Sequence, residues 1–109
     1  MLSKVKQVFF LRKVEKMLAN YQITVKHFIP GRVRLASPYW EGQSKIVQRL
    51  MPELEREAKI RSVRHTKETG TILVEYDPSS NVQEEQIEQW IHTVHRIHNE
   101  VITEEVARL

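Results

Sequence analysis

The sequence predicts one α+β domain, in which an antiparallel sheet carries helices on one face. Three observations lead to this fold class. Alternating apolar residues mark strands, apolar residues three or four positions apart mark helices, and after a first helix the segments follow the order β-α-β-β-α. The chain has 109 residues, 40% of them hydrophobic and 28% charged, which is enough for an ordinary core without metal or disulfide support.

Residues 3–19 form the first predicted helix. Its apolar stripe comprises Phe10, Val14, Met17, Leu18 and Tyr21. A second set of apolar residues near the start of this helix points to a different side of it and lies beside lysines. Such a patch is typical of an interface with a partner or an anionic lipid surface. The residues predicted to make that contact are Lys4, Val5, Lys6, Val8, Phe9, Arg12 and Lys13. The predicted division is a basic amphipathic helix over residues 1–21 and a domain over residues 22–109.

The first predicted strand covers residues 22–28 and 32–37 and is interrupted between them. Proline cannot donate a ladder hydrogen bond and glycine tolerates positive φ, so Pro30, Gly31 and Arg32 are predicted to form a structural turn or bulge. Alternation then predicts which side chains face the core. They are Ile23, Val25, His27, Ile29, Val33 and Leu35.

The remaining elements follow from the same periodicities. Residues 41–51 predict a helix, and residues 60–66 and 71–77 predict a hairpin that turns at Gly70. The last helix starts at Asn81 and extends to Ile97. Beyond it the sequence leaves two alternatives open, a fourth strand at residues 100–103 or a continued helix to residue 109. The order β-α-β-β-α is the ferredoxin-like plan.

Three segments resemble a known family. They are His27-Phe28-Ile29-Pro30-Gly31-Arg32-Val33-Arg34-Leu35, Ile60-Arg61-Ser62-Val63 and Thr69-Gly70-Thr71-Ile72-Leu73-Val74-Glu75-Tyr76-Asp77-Pro78. Over residues 22–98 the chain resembles the heavy-metal-associated (HMA-like) domain of P-type metal ATPases and small bacterial proteins, in the branch that lacks the metal-binding cysteine pair. The resemblance implies a non-enzymatic module for metal or metal-cofactor handling, or one that docks onto a membrane metal transporter and regulates it. The alternative is a protein- or membrane-interaction module without metal that docks through its N-terminal helix.

The chain contains no cysteine, which excludes disulfides and thiolate-bound ions. A bound cofactor is therefore expected to be a divalent transition metal or haem, held by imidazole and carboxylate groups. In the resembled family the metal loop follows the first strand, and His27 stands near that place. His92, His95 and His98 recur every three residues on the last helix, where neighbouring turns can chelate one ion. The alternative for all four is structural, as polar residues beside the turn or beside the core stripe.

The net charge of +3 is unevenly divided along the chain. Residues 1–34 hold eight basic residues and one glutamate, or +7, and residues 35–109 hold nine basic and thirteen acidic residues, or −4. Arg32 and Arg34, with Lys26, form a basic row opposite the predicted core side, suited to phosphate, nucleic acid or the acidic half of the chain. Nucleic acid is not expected as the partner, because the central strands lack an aromatic pair for base stacking.

No motif favours an enzyme, because the chain contains no suitably spaced Ser-His-Asp set and no glycine-rich phosphate loop. No apolar run approaches the roughly 20 residues of a membrane span, and the N-terminus lacks a signal-peptide core. The expected location is cytoplasmic, with membrane association through the first helix. The expected partners are a membrane metal transporter or another protein, an anionic membrane, or a second copy of the chain.

Overall fold

A computed structural model describes the backbone of residues 4–77 and 84–109 and the side chains of residues 9–77 and 85–109. The elements in chain order are helix α1 (Lys4–Leu18), strands β1 (Thr24–Ile29) and β2 (Arg32–Ala36), helix α2 (Lys45–Glu55), strands β3 (Ile60–Thr66) and β4 (Thr71–Tyr76), and helix α3 (Glu84–Ala107). Two short 3-10 turns, Ala19–Tyr21 and Pro38–Trp40, follow α1 and β2.

The four strands form one antiparallel sheet in the order β1-β2-β4-β3, so the predicted α+β, ferredoxin-like fold class is confirmed. The interrupted first strand is in fact a hairpin, because β1 and β2 pair with each other around Pro30 and Gly31. Strand β1 occupies the sheet edge beside β2. Of the two alternatives left open for the chain after Ile97, residues 100–103 do not form a fourth strand. Residues 100–107 instead continue α3.

The prediction of which side chains face the core is wrong for two residues of this hairpin, His27 and Ile29, which are exposed. A β-bulge between Val25 and His27 adds one residue to β1 and reverses the alternation beyond it. His27 therefore pairs with Arg34, whereas Phe28, although 49% exposed near the end of the hairpin, pairs with Val33, which packs against the core. No short sequence pattern predicts such a bulge.

One hydrophobic core joins the helices to one face of the sheet. Its buried members are Leu18, Ile23, Trp40, Ile46, Val47, Leu50, Leu54, Ile60, Val63, Ile72, Val74, Trp90, Ile91, Val94, Ile97 and Val101. The apolar stripe predicted for α1 packs here, with Val14, Met17 and Tyr21 around the buried Leu18. Helix α1 and the ferredoxin-like part of the chain therefore share one core.

The other face of the sheet, which we call the open face, carries the alternate side chains of the four strands. Two cross-strand rows define it: His27, Arg34, Leu73 and Arg64, and next to them Ile29, Arg32, Glu75 and Ser62. The three arginines are exposed, as expected for a sheet face that the helices leave uncovered.

Substitution of Gly31 by valine is expected to lower the free energy of unfolding by about 1–3 kcal/mol. Gly31 has φ of +85°, a left-handed conformation that a β-branched residue adopts only with strain. A proline followed by a glycine is also the residue pair that a type II turn favours at its two central positions. Gly31→Asn is the matched control and is expected to cost less, since asparagine tolerates this region. Urea unfolding measures both, and a Gly31→Val midpoint equal to that of the wild type would show that the turn does not need glycine.

Candidate functional site

The loop between β2 and α2, residues 37–44, is the counterpart of the metal loop that the resemblance implies. Strand β2 is a central strand and α2 is the next α-helix after it, whereas β1 is an added edge strand before it. The expected place near His27 requires residues 22–37 to form one strand, whereas they form the β1–β2 hairpin. The structure instead points to the segment that begins at Ser37.

This loop is folded inward and held by its own hydrogen bonds. Ser37 is buried, and its hydroxyl donates to the carbonyl oxygen of Tyr21 at 3.0 Å and accepts from the backbone N–H of Tyr39 at 3.2 Å. The Ser37 N–H donates to the carbonyl of Gly70 at 3.0 Å, which ties the loop to the β3–β4 hairpin. Ser44 caps α2 and donates its hydroxyl to the carbonyl of Tyr39 at 2.7 Å.

Trp40 closes the loop over the core. Its side chain is 1% exposed, and its indole Nε1–H donates to Nε2 of His98 at 3.1 Å. Indole nitrogen is only a donor, so His98 Nε2 must be the acceptor and the proton of the neutral ring sits on Nδ1. Nε2 of His65 donates to the carbonyl oxygen of Trp40 at 2.6 Å. We call this arrangement of Trp40, His98 and His65 the tryptophan lock.

His98 is fully buried and surrounded by aromatic rings. Ring centroids of Tyr21, Tyr39 and Trp40 lie 4.6, 5.8 and 6.1 Å from its own. Its Nδ1 has no hydrogen-bond partner among the described residues. Burial, and secondarily the nearby His95, lowers the pKa of His98 from 6.5 to about 4. The ring is therefore neutral at physiological pH, as its bond from Trp40 requires.

The structure does not bring the four predicted metal-binding histidines together. His98 lies inside the tryptophan lock, and Nε2 of His95 donates to the carbonyl oxygen of Met17 at 2.8 Å, which ties α3 to α1. His92 is exposed on α3, and His27 is exposed on the open face of the sheet. Among the residues with described side chains, no three His, Asp or Glu residues are placed to hold one ion.

The residues of the loop do not fit a soft metal ion. The loop contains no thiolate, its serine hydroxyls are already engaged in hydrogen bonds, and the ring of Trp40 packs into the core. Trp40, Tyr39 and Tyr21 belong to this site and were not predicted to do so from the sequence. The available signal was the aromatic pair that follows Pro38 directly after a strand, in an otherwise polar stretch.

The predicted contact surface on α1 lies only partly within the described side chains. Phe9 is 65% exposed and Arg12 is exposed, whereas Nζ of Lys13 lies 2.6 Å from Oε1 of Glu88 on α3. The predictions for Lys4, Val5, Lys6 and Val8 fall on side chains outside the described residues. In the part of the chain that the structure describes, no helix is long and apolar enough to cross a membrane.

Comparisons with known proteins identify the family. No curated protein and no solved structure matches the chain significantly. The profile of heavy metal associated domain 2 matches residues 7–109, which includes the sheet, α2, α3 and nearly all of α1. The match agrees with the ferredoxin-like order of β2, α2, β3, β4 and α3. The chain therefore belongs to the heavy metal associated domain 2 family.

Proposed function

We propose that this domain is a non-enzymatic docking module of a cytoplasmic metal-handling system, which binds a partner protein and does not itself carry the metal ion. The observation that carries the proposal is the tryptophan lock, which closes the loop where this fold would present metal ligands. Family membership supplies the connection with metal handling, and a membrane metal transporter is the partner class that the resemblance implies.

The tryptophan lock argues against metal transfer through the loop. A transfer site must expose its ligands to receive an ion and to pass it on. Here Ser37 and Trp40 are buried, and exposing them would break the hydrogen bonds from Trp40 to His98 and from His65 to Trp40. It would also expose the indole ring, at a cost on the order of 2–3 kcal/mol from lost apolar burial alone.

The proposal that the domain is not an enzyme has support from the same site. The lowered pKa of His98 is the kind of displacement that catalytic groups show. Its ring is fully buried under Tyr21, Tyr39 and Trp40, so no substrate reaches either nitrogen. The lowered pKa is explained by the buried, structural position of His98 in the tryptophan lock.

Family membership favours a second candidate function, transient binding of a divalent ion by exposed histidines. His27 and His92 are exposed imidazoles, and neither forms a hydrogen bond or ion pair with the described residues. They lie on different layers of the fold, on β1 and on α3. Each would therefore contribute one ligand to a separate site.

Metal analysis and calorimetric titration of tag-free protein decide between the two functions. We expect no stoichiometric complex with zinc, nickel, copper or haemin, and an unchanged unfolding midpoint in their presence, since a ligand that binds only the folded state raises it. A stoichiometric complex that is lost in His27→Gln or His92→Gln would replace the proposed function with the second candidate. Each variant serves as the control for the other.

A further inference from the structure

We infer that the open face of the sheet is the docking surface, and that a separate partner protein presents acidic side chains to Arg32, Arg34 and Arg64 there. This inference rests on the proposed function, because it names the surface and the partner chemistry of the docking module. Neither family membership nor the predicted interface on α1 assigns a role to this face.

The register of the sheet brings the three guanidinium groups into one patch. Arg34 and Arg64 stand in the same cross-strand row, with Leu73 between them. Strands are spaced about 4.8 Å apart, so Arg34 and Arg64 are anchored roughly 10 Å from each other. Arg32 is anchored two residues along β2 from Arg34, roughly 7 Å away. A partner of ordinary size covers all three at once.

These arginines lack a partner within the described part of the chain. None of Arg32, Arg34 and Arg64 forms a side-chain hydrogen bond or an ion pair there. On the helical layer the situation is different, since Arg49 pairs with Glu100 and Glu104 at 2.7 and 3.0 Å. Like charges held close together repel, and acidic groups of a partner would relieve that repulsion with charge-assisted hydrogen bonds.

A mixed pattern on the open face favours a protein over a phosphate-rich partner. Glu75 lies directly opposite Arg32 and is half-buried, with its Oε1 accepting from the Ser62 hydroxyl at 3.2 Å. This carboxylate repels a uniform layer of phosphates, but a protein can place a cation or a hydrogen-bond donor against it. Leu73, between Arg34 and Arg64, adds an apolar contact, and arginine is itself enriched in protein interfaces.

Two other occupants fit the open face less well. Its two defining rows contain no Phe, Tyr or Trp on which a nucleic-acid base could stack. A second copy of the chain could offer the acidic residues in the C-terminal part of α3. There Glu100 is already bonded to Arg49 and Arg96, and Glu104 is bonded to Arg49. A separate protein with free carboxylates is the better complement.

The test compares two double charge reversals in the full chain. Arg34→Glu with Arg64→Glu alters the open face, and Lys45→Glu with Arg108→Glu produces the same change of net charge on the ends of α2 and α3. The probes are an acidic peptide in which glutamate alternates with leucine and serine, phosphatidylserine-containing vesicles, and a single-stranded oligonucleotide. Amide NMR spectra of the labelled protein locate binding, and circular dichroism confirms that both variants are folded.

We expect the peptide to shift amides of β2, β3 and β4, and we expect the open-face variant to bind it at least about tenfold more weakly, while the control variant binds as the wild type does. Equal weakening in both variants, or no shift in the sheet, would overturn the inference. Binding of vesicles or oligonucleotide through the same arginines, without peptide binding, would assign the surface to phosphate. Self-association that only the open-face variant abolishes would make the occupant a second copy and overturn the assignment to a separate partner.

This experiment is independent of the metal titration, because neither double variant changes a histidine. Metal binding with peptide docking intact would contradict the metal-free function and leave the open face as a docking surface. Absence of both metal binding and peptide docking would contradict the open-face inference alone.

Discussion

Replacement of Trp40 by alanine is expected to lower the free energy of unfolding by about 3–5 kcal/mol, the largest effect of any substitution proposed here. The indole ring is 1% exposed and packs into the core beneath the β2–α2 loop, so its removal leaves a cavity. It also leaves Nε2 of His98 buried without a donor, which adds the cost of an unpaired polar atom. Urea unfolding monitored by far-ultraviolet circular dichroism measures the change.

Two further variants separate the contributions to this effect. Trp40→Phe keeps an aromatic ring but removes the N–H group, and we expect a loss between that of the alanine variant and the wild type. Tyr39→Ala is the control from the same turn, because Tyr39 is 40% exposed and is expected to cost much less. Equal midpoints for Trp40→Ala and Tyr39→Ala would contradict the tryptophan lock. If Trp40→Ala does not fold, the comparison of Trp40→Phe with Tyr39→Ala still tests whether the tryptophan lock stabilises the domain.

Acidification from pH 7 to pH 4 is expected to remove about 3 kcal/mol of stability through His98 alone. The pKa of this buried ring is lowered from 6.5 to about 4, so between these values the unfolded chain binds a proton that the folded chain does not. The stabilisation is complete above pH 6.5 and decreases as the pH falls towards 4. Protonation also places a hydrogen on Nε2, directly against the indole N–H of Trp40.

The groups that face His98 are known from the packing around it. They are His95 on its own helix, Tyr21 after α1, and Tyr39 and Trp40 in the loop. The test compares His98→Gln with His92→Gln, since His92 is exposed on the same helix. The difference in unfolding free energy between wild type and His98→Gln should shrink by about 3 kcal/mol from pH 7 to pH 4. A constant difference, or an equal shrinkage for His92→Gln, would contradict a neutral buried His98.

The sequence was sufficient to predict most of the fold, because its decisive signals are local. The stripe predicted for the first helix includes Leu18, which is buried, and alternation along β4 places Ile72 and Val74 in the core. Gly70 turns between β3 and β4 with φ of +64°, as its place in the hairpin predicts. These patterns depend on residues within a few positions of one another.

The features that the sequence did not predict depend on distant contacts. Pro30 and Gly31 fit a bulge inside one strand as well as a turn between two, and the choice depends on whether residues 24–29 fold back and pair with β2. Trp40 and His98 are 58 residues apart, so no local pattern links them. The three-residue spacing of the α3 histidines indicated chelation, but packing against α1 and the loop gives His95 and His98 separate structural partners.

The imidazole nitrogen spectrum of the labelled protein, recorded with and without one equivalent of zinc, tests most directly whether the tryptophan lock closes the β2–α2 loop. We predict that His98 carries its proton on Nδ1, titrates near pH 4 and keeps its chemical shifts when zinc is added. A proton on Nε2 of His98 would contradict the tryptophan lock. A zinc-dependent shift of His95 and His98 together would also contradict it, and would indicate a metal site on α3.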